Sequence, residues 1–564
     1  MKSFYTIIAM IAAAIMFTAC DARLTELNVN PNGVDPAIVN PNLLVPTIIV
    51  STATPYVEMS YNGDAAGVMQ YVQKSGWGGG LNNYDWRGQR NWDSWYSNLR
   101  NAKHLYERSE EEGMEFQQGL ALIIKAFNFG YIADSWGDAP YTTALNATEG
   151  RQEDYFPTFD SQETIYRGII EELKQANQLL SKPALDYQGI NASADVLYGG
   201  DPAKWRKFAN SLMLRYYMRV SLKLPDFAKA GIEEIISNPS LYPIFTSGAD
   251  DAAMDFIGSS NSDSWPANTT FDPSESEFDR VQLCAGFRDV LVEFDDPRLG
   301  VWFNKARIPI KVSEAYGGDA LVGGIRYLHP DHMAANNMVV YDRENWIEDI
   351  ENDKVLIDTM EYVGIPIAYT RGDASNFNLN PVPIQGGPNV HSSALSDIYR
   401  EARGPMLKAR LISYAEVCFI LAEAAQKGWS VGSQQEWYEK GVEASFNTWG
   451  IGNQYSNYIA NDGVAYDGSL EQLITQKWIA NWTVAHESWC DWRRTGYPDL
   501  SVGTRGLRTA MPLRYQYGGN EIARNFDNYS QAISGYQQTA FTEQDGNDSS
   551  WSKFWLLQGT NLPY

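Results

Sequence analysis

Residues 76–92, reading GWGGGLNNYDWRGQRNW, set Trp77, Tyr84 and Trp86 among Asn82, Asn83, Asp85 and Arg87. That mixture suits a sugar: a pyranose offers an apolar C–H face that stacks on an aromatic ring, and hydroxyls that need amide, carboxylate or guanidinium partners. Three adjacent glycines, Gly78 to Gly80, open backbone conformations closed to other residues. The competing reading is that Trp77 and Trp86 anchor the segment in the core, because tryptophan is highly buried on average. In the region 240–400, Trp265, Phe271, Tyr327, Tyr341, Trp346 and Tyr369 lie among Asn, Asp and Gly. Some of these rings should line the same site, though for any single one the core is an equal alternative. The candidate ligand contacts are Trp77, Asn82, Asn83, Tyr84, Trp86, Arg87, Trp265, Tyr327 and Tyr369.

Other chemistries find less footing. His329 and His332 have zinc-like spacing, but Pro330 lies beside them and no third ligand stands at a recognisable distance. Asp250, Asp251 and Asp255 leave calcium open. The chain has no Gly-x-Ser-x-Gly, no His-Glu-x-x-His and no phosphate loop. With 69 Asp and Glu, some carboxylate pair will always resemble a general acid and base. No catalytic residue, metal or cofactor is therefore assigned. Arg493 and Arg494 after Asp491 read as an internal ion pair closing a helix rather than an anion clamp.

The elements that must position these residues are mostly helical. Trp92 to Glu112, Phe116 to Ile132 and Thr164 to Leu180 carry apolar residues at spacings of three and four. Asp201-Pro202, a cap residue followed by proline, opens another helix. Between about 240 and 400 the pattern breaks into Gly-, Asn-, Asp- and Pro-rich pieces, and long irregular segments of this kind are often functional. Helices return over Arg410 to Lys427, which resembles half of a tetratricopeptide hairpin, with Gln434 to Trp449 as its partner. A helix over Leu470 to Trp492 should place Trp478, Trp482, Ala485 and Trp489 on one buried face, ending at Gly496 and Pro498, with Trp492 also in the core.

The N-terminus points to export. One charge, Lys2, precedes an apolar run from Ile7 to Ala19, which is too short and wrongly flanked for a membrane span. Phe17-Thr18-Ala19-Cys20 resembles a bacterial lipobox, so residues 1–19 read as a signal peptide and Cys20 as the lipidated residue. Two or three acyl chains, at about 0.8 kcal/mol per buried methylene, would hold the protein at a membrane surface. Residues 20–46 read as a polar tether and 47–564 as one domain. The formal charge of −25 disfavours nucleic acid, whose phosphates such a surface repels. With Cys20 lipidated, Cys284, Cys418 and Cys490 form an odd, widely spaced set that argues against a disulfide framework.

Several stretches together resemble the SusD/RagB family of outer-membrane nutrient-binding lipoproteins. They are the LNVNPN stretch, WGDAPYTTAL (136–145), RLISYAEVCFILAEAA, QKWIANWTVAHESWCDWRRTGYP (476–498) and MPLRYQYGGNEIARNFDNYSQA. The resemblance implies a mainly α SusD-like fold, with tetratricopeptide-type hairpins packed against an irregular, loop-rich half. It also implies a non-enzymatic, lipid-anchored protein of the outer-membrane surface. Such a protein captures an oligosaccharide, or in some members a peptide, and delivers it to a SusC-like TonB-dependent transporter. A surface glycosidase and a purely adhesive lipoprotein are the rival classes.

Overall fold

The computed structural model describes residues 40–564 apart from 75–82, 87, 148–149, 370–376, 379–388, 504 and 543–544. Cys20 and most of the expected tether lie outside the described residues. Ten helices of eleven or more residues form the frame: α1 (Leu44–Tyr61), α2 (Asp93–Glu111), α3 (Glu115–Trp136), α4 (Gln162–Leu179), α5 (Pro202–Val220), α6 (Pro225–Ser237), α7 (Tyr414–Gln426), α8 (Gln434–Thr448), α9 (Leu470–Ala480) and α10 (Ala485–Thr495). No helix of the described residues is long and apolar enough to cross a membrane. Helix α1 starts within the last residues of the expected tether.

Local sequence explains several helix starts. Asp201 accepts the backbone N–H groups of Ala203 and Lys204 at 2.9 and 3.3 Å, and Pro202 follows where its missing N–H costs nothing. Ser413, Ser433 and Ser469 each cap the N–H three residues on, at Glu416, Glu436 and Gln472. That serine-x-x-Glu/Gln spacing recurs before three successive helices, and each cap contributes about 1 kcal/mol.

Consecutive helices pack as hairpins: α3 lies against both α2 and α4, α4 against α5, and α7 against α8 and α9. At the α7–α8 crossing Gly441 lets the backbones close, since a Cβ there would sit 2.9 Å from the Phe419 ring. The region between α6 and α7 holds short helices and small sheets, among them Ala252–Asp255 paired antiparallel with Lys408–Ile412.

Two expected helices change shape. Residues 408–412 form a strand, not the start of α7, because a short buried apolar run does not distinguish strand from helix by periodicity. The expected helix over 470–492 is two helices, broken at Asn481–Val484 where Thr483 takes φ +71°. A β-branched residue in that region of backbone space cannot continue a helix. Trp478, Trp482, Trp489 and Trp492 are nonetheless all buried, as the stripe predicts. Gly496 closes α10 in the left-handed conformation, its N–H on the Trp492 carbonyl at 2.7 Å.

Where α3, α5, α7, α9 and α10 meet, the core is ionic. Arg215 grips both oxygens of Glu416 at 2.6 and 2.7 Å and lies 3.4 Å from Glu487. Arg219 pairs with Asp134 at 2.9 Å and with Glu487. Arg494 bridges Glu423 and Asp491, and Lys477 holds the other side of Asp491 at 2.6 Å. Arg493 instead donates to the carbonyls of Asp134 and Leu513 and stacks over Trp489 at 4.0 Å. Burial alone would raise the Glu487 carboxyl, but Arg215 and Arg219 beside it hold it at about 2.

Candidate functional site

Lys74, just before the glycine-rich segment 76–92, and Arg90, near its end, both line one open cleft. The cleft encloses about 580 Å³, in the range of small-ligand sites. Its walls come from the end of α1 (Glu58, Tyr61), the turn Asn62-Gly63-Asp64, and Asn91 and Ser94 at the start of α2; Pro266 and Glu277 of the irregular region close the far side. Trp95, Tyr131, Trp136 and Tyr515 form its floor.

Polar groups of both signs converge there. Asn62 Nδ2 donates to Glu277 Oε2 at 3.1 Å, and Arg280 holds the other Glu277 oxygen at 2.7 Å. Arg90 Nε donates to Asp64 at 3.2 Å, with its guanidinium 6.0 Å over the Tyr515 ring. Desolvation and the nearby Glu277 charge push the Glu58 carboxyl above its ordinary value. Desolvation pulls the Lys74 ammonium down, with Glu277 opposing it. Among the described residues the lining offers carboxylates, amides and two cations, and no nucleophile held by a general base.

Of the sequence-derived candidates, Trp77, Asn82 and Arg87 lie outside the described residues. The others do not line the cleft, and three need correction. Trp86 is 2% exposed, stacked on Tyr515 at 4.9 Å and edge-on to Trp489 at 5.2 Å. Tyr84 is fully buried, its hydroxyl accepting from Gln70 Nε2 at 3.1 Å. Trp265 is fully buried against Tyr61, Phe256 and Tyr399. The ring faces of Trp86 and Trp265 are taken up by other rings and Tyr84 is fully buried, so all three are core anchors. Asn83 is buried, its carbonyl accepting from Leu507 N–H at 2.9 Å. Tyr369 packs edge-on to Phe377 beneath the surface, and Tyr327 is half-buried on the strand Ile325–Leu328 beside Tyr316.

These anchors sit one layer below the site. Trp86 backs Tyr515, which floors the cleft, and Trp265 backs Tyr61, which walls it. The residues that face the cleft, Asn62, Asp64, Arg90, Asn91 and Glu277, carried weaker sequence signals: an Asn-Gly turn at 62–63, and Arg90-Asn91 at the end of the glycine-rich segment.

The metal readings also resolve in structural terms. His329 Nδ1 accepts the Asp331 N–H at 3.1 Å and caps the short helix Pro330–Ala335. Asp250 is engaged by Lys207 at 2.9 Å, and Asp255 by Lys408 at 3.0 Å. Asp134, His486 and Cys490 cluster closely enough for a metal, but Arg219 and Arg493 already lie on Asp134 and Cys490 at 2.9 Å. Two guanidiniums are the wrong neighbours for a cation.

A family model described as "Starch-binding associating with outer membrane", SusD-like, matches residues 34–326 and 344–518. The chain belongs to the SusD-like family. Solved structures agree on the fold. A candidate nutrient-binding outer-membrane protein of Bacteroides vulgatus is 24% identical, with a TM-score of 0.67 over 92% of this chain and 100% of that one. A SusD homolog of Bacteroides fragilis is 22% identical, with a TM-score of 0.66 over 92% and 99%. A chitin-binding SusD homolog from Flavobacterium johnsoniae is 21% identical, with a TM-score of 0.67 over 92% and 98%. No curated protein matches the sequence. This SusD-like chain thus has the mainly α fold that its sequence resemblance implies.

Proposed function

We propose that this SusD-like protein binds an oligosaccharide at the cell surface without cleaving it and hands it to a TonB-dependent transporter of the outer membrane. The observation that carries the reading is the polar cleft between Asn62, Arg90 and Glu277. Both charge signs and the amides of Asn62 and Asn91 surround a volume suited to a few sugar rings, and no catalytic pairing accompanies them among the described residues. The family's starch-binding description and the chitin-binding relative point the same way. Trp77 and Asn82, which lie outside the described residues, are the proposed stacking face and a further amide. Cys20 carries the acyl anchor, and the acidic surface leaves membrane attachment to the lipid.

Calorimetry against starch, chitin and other neutral oligosaccharides, with peptides alongside, tests the binding. At least one glycan should bind in the micromolar to millimolar range, about −8 to −4 kcal/mol, with no change in its mass after incubation. Trp77→Ala and Asn91→Ala should weaken it severalfold or more while the thermal melt stays put. Peptide binding alone, or product formation at excess substrate, overturns the glycan reading. Cys20→Ala should release the protein from membranes, and a tagged chain extracted in mild detergent should bring a transporter-sized partner with it.

A further inference from the structure

A second cleft of about 790 Å³ shares no residue with the first. It opens where the strand Lys408–Ile412, the start of α7, the last turns of α8 and the first turn of α5 come together. In a chain with 44 basic and 69 acidic residues, four cations, Lys204, Lys408, Arg410 and Lys440, line this one depression beside three carboxylates, Asp251, Asp255 and Glu443; Lys408 pairs with Asp255 and Lys440 with Glu436, which leaves Arg410 and Lys204 to account for.

Arg410 is the informative member. It is 5% exposed, yet no carboxylate lies within 4.0 Å of its guanidinium among the described residues. Nη1 donates to the Met406 carbonyl at 3.1 Å and the guanidinium lies over the Trp449 ring at 5.2 Å, while Nε and Nη2 have no partner among the described residues. Six other buried arginines, Arg215, Arg219, Arg288, Arg298, Arg494 and Arg514, each meet at least one carboxylate at 3.4 Å or closer, and buried Arg493 donates to two carbonyls instead. For those six, burial alone would lower the pKa, but the carboxylates raise it; for Arg410 burial wins and the value falls. Lys204 adds a second cation without a carboxylate partner among the described residues, its Nζ lying 5.8 Å over the Tyr198 ring. A desolvated guanidinium with two unused donors accepts a planar carboxylate in the bidentate geometry that a point cation cannot match.

Of the three carboxylates in the lining, Asp251, Asp255 and Glu443, Asp255 is taken by Lys408 at 3.0 Å and Asp251 accepts the Tyr414 N–H at 2.7 Å; the remaining groups are neutral and suited to hydroxyls. Thr246, Ser247 and Asn447 offer donors and acceptors, and Tyr198 and Tyr414 offer ring surface. We propose that this cleft is a second saccharide site, selective for an acidic sugar whose carboxylate sits on Arg410 and Lys204. The choice of a saccharide over other carboxylates rests on the glycan reading of the protein; the anion site itself does not.

Calorimetry of the full chain at low salt tests it, with trigalacturonate, its methyl ester, inorganic phosphate and triglycine as probes. Trigalacturonate should bind, and the ester at least tenfold more weakly. Lys204→Ala should weaken the acid at least fivefold with an unchanged melt, Arg410→Gln should weaken it further, and Glu277→Gln in the first cleft should leave it unchanged. Equal binding of acid and ester, or no loss in Lys204→Ala, overturns the proposal. So does phosphate or triglycine binding as tightly as trigalacturonate, or a loss in Glu277→Gln, which would put the acid in the first cleft. Failure of neutral glycans in that cleft is a separate result that these probes do not depend on.

Discussion

The junction of α3, α5, α7 and α10 and the cleft at the end of α1 are made from the same side-chain types, arginines, carboxylates and aromatic rings, but arrange them in opposite ways. At the junction buried charges meet one another directly, as in Arg215–Glu416 and Arg494–Glu423, Arg493 is satisfied by carbonyls, and the rings of Trp478 and Trp489 face other rings or carbonyls. In the cleft, Glu58, Asn91 and Ser94 face solvent. Burial therefore separates architecture from recognition here, and residue type does not. The lesson bears directly on Trp86, which has the chemistry of a sugar platform and the position of a core anchor.

The largest effect that tests this contrast comes from the junction. Arg215→Ala strands Glu416 and Glu487 as buried, uncompensated carboxylates and should cost about 3–5 kcal/mol in a urea melt. A loss within about 1 kcal/mol would mean that water reaches the network. Trp86→Ala should cost about as much as Trp482→Ala, roughly 3–5 kcal/mol, since each truncates a buried indole. If Trp86→Ala instead keeps its stability and loses glycan affinity, the ring is a ligand contact and the correction made above fails.

Titration sharpens the comparison in a second way. Desolvation pushes the Asp251 carboxyl up to about 7, whereas an unfolded Asp titrates near 4. The folded state holds the extra proton between those values, so the contribution of this group is full below about pH 4 and is lost as pH rises through 7. Asp134 and Glu487 run oppositely. Burial would raise both, but Arg219 holds Asp134 and Arg215 and Arg219 hold Glu487 at about 2, so their contribution is present above about pH 4 and is lost as pH falls through 2. Denaturation at pH 5 and pH 8 should show Asp251→Asn gaining on the parent at the higher pH. An equal difference at both values would exclude the raised carboxyl.

Smaller effects belong to the surface. Glu277→Gln should weaken neutral glycan binding severalfold, on the order of 1 kcal/mol, with an unchanged melt, since it alters one hydrogen-bonding group of the cleft. Arg167→Ala, which breaks an exposed pair with Glu163 at 2.8 Å, should cost less than about 0.5 kcal/mol. A larger loss there would blur the division between paired interior charge and solvated charge.

The sequence by itself determined the helical frame. Apolar spacing fixed α2 to α4, Asp201-Pro202 fixed the start of α5, and the buried Trp478–Trp492 stripe followed from periodicity even though the helix carrying it is broken. Of the segment 76–92 that its composition singled out, Arg90 and Asn91 line the cleft. Only tertiary structure decided which of the described residues of that segment are buried and which line the cleft. Tyr84 and Trp86 are covered by Gln70, Tyr515 and Trp489, residues 14 to more than 400 positions away in the chain. The cleft itself is closed by Glu277 and Tyr515, and the second cleft is marked by a missing carboxylate beside Arg410. Neither the neighbour that covers a ring nor the partner that a buried cation lacks is encoded in local spacing, because both arise when distant segments pack together.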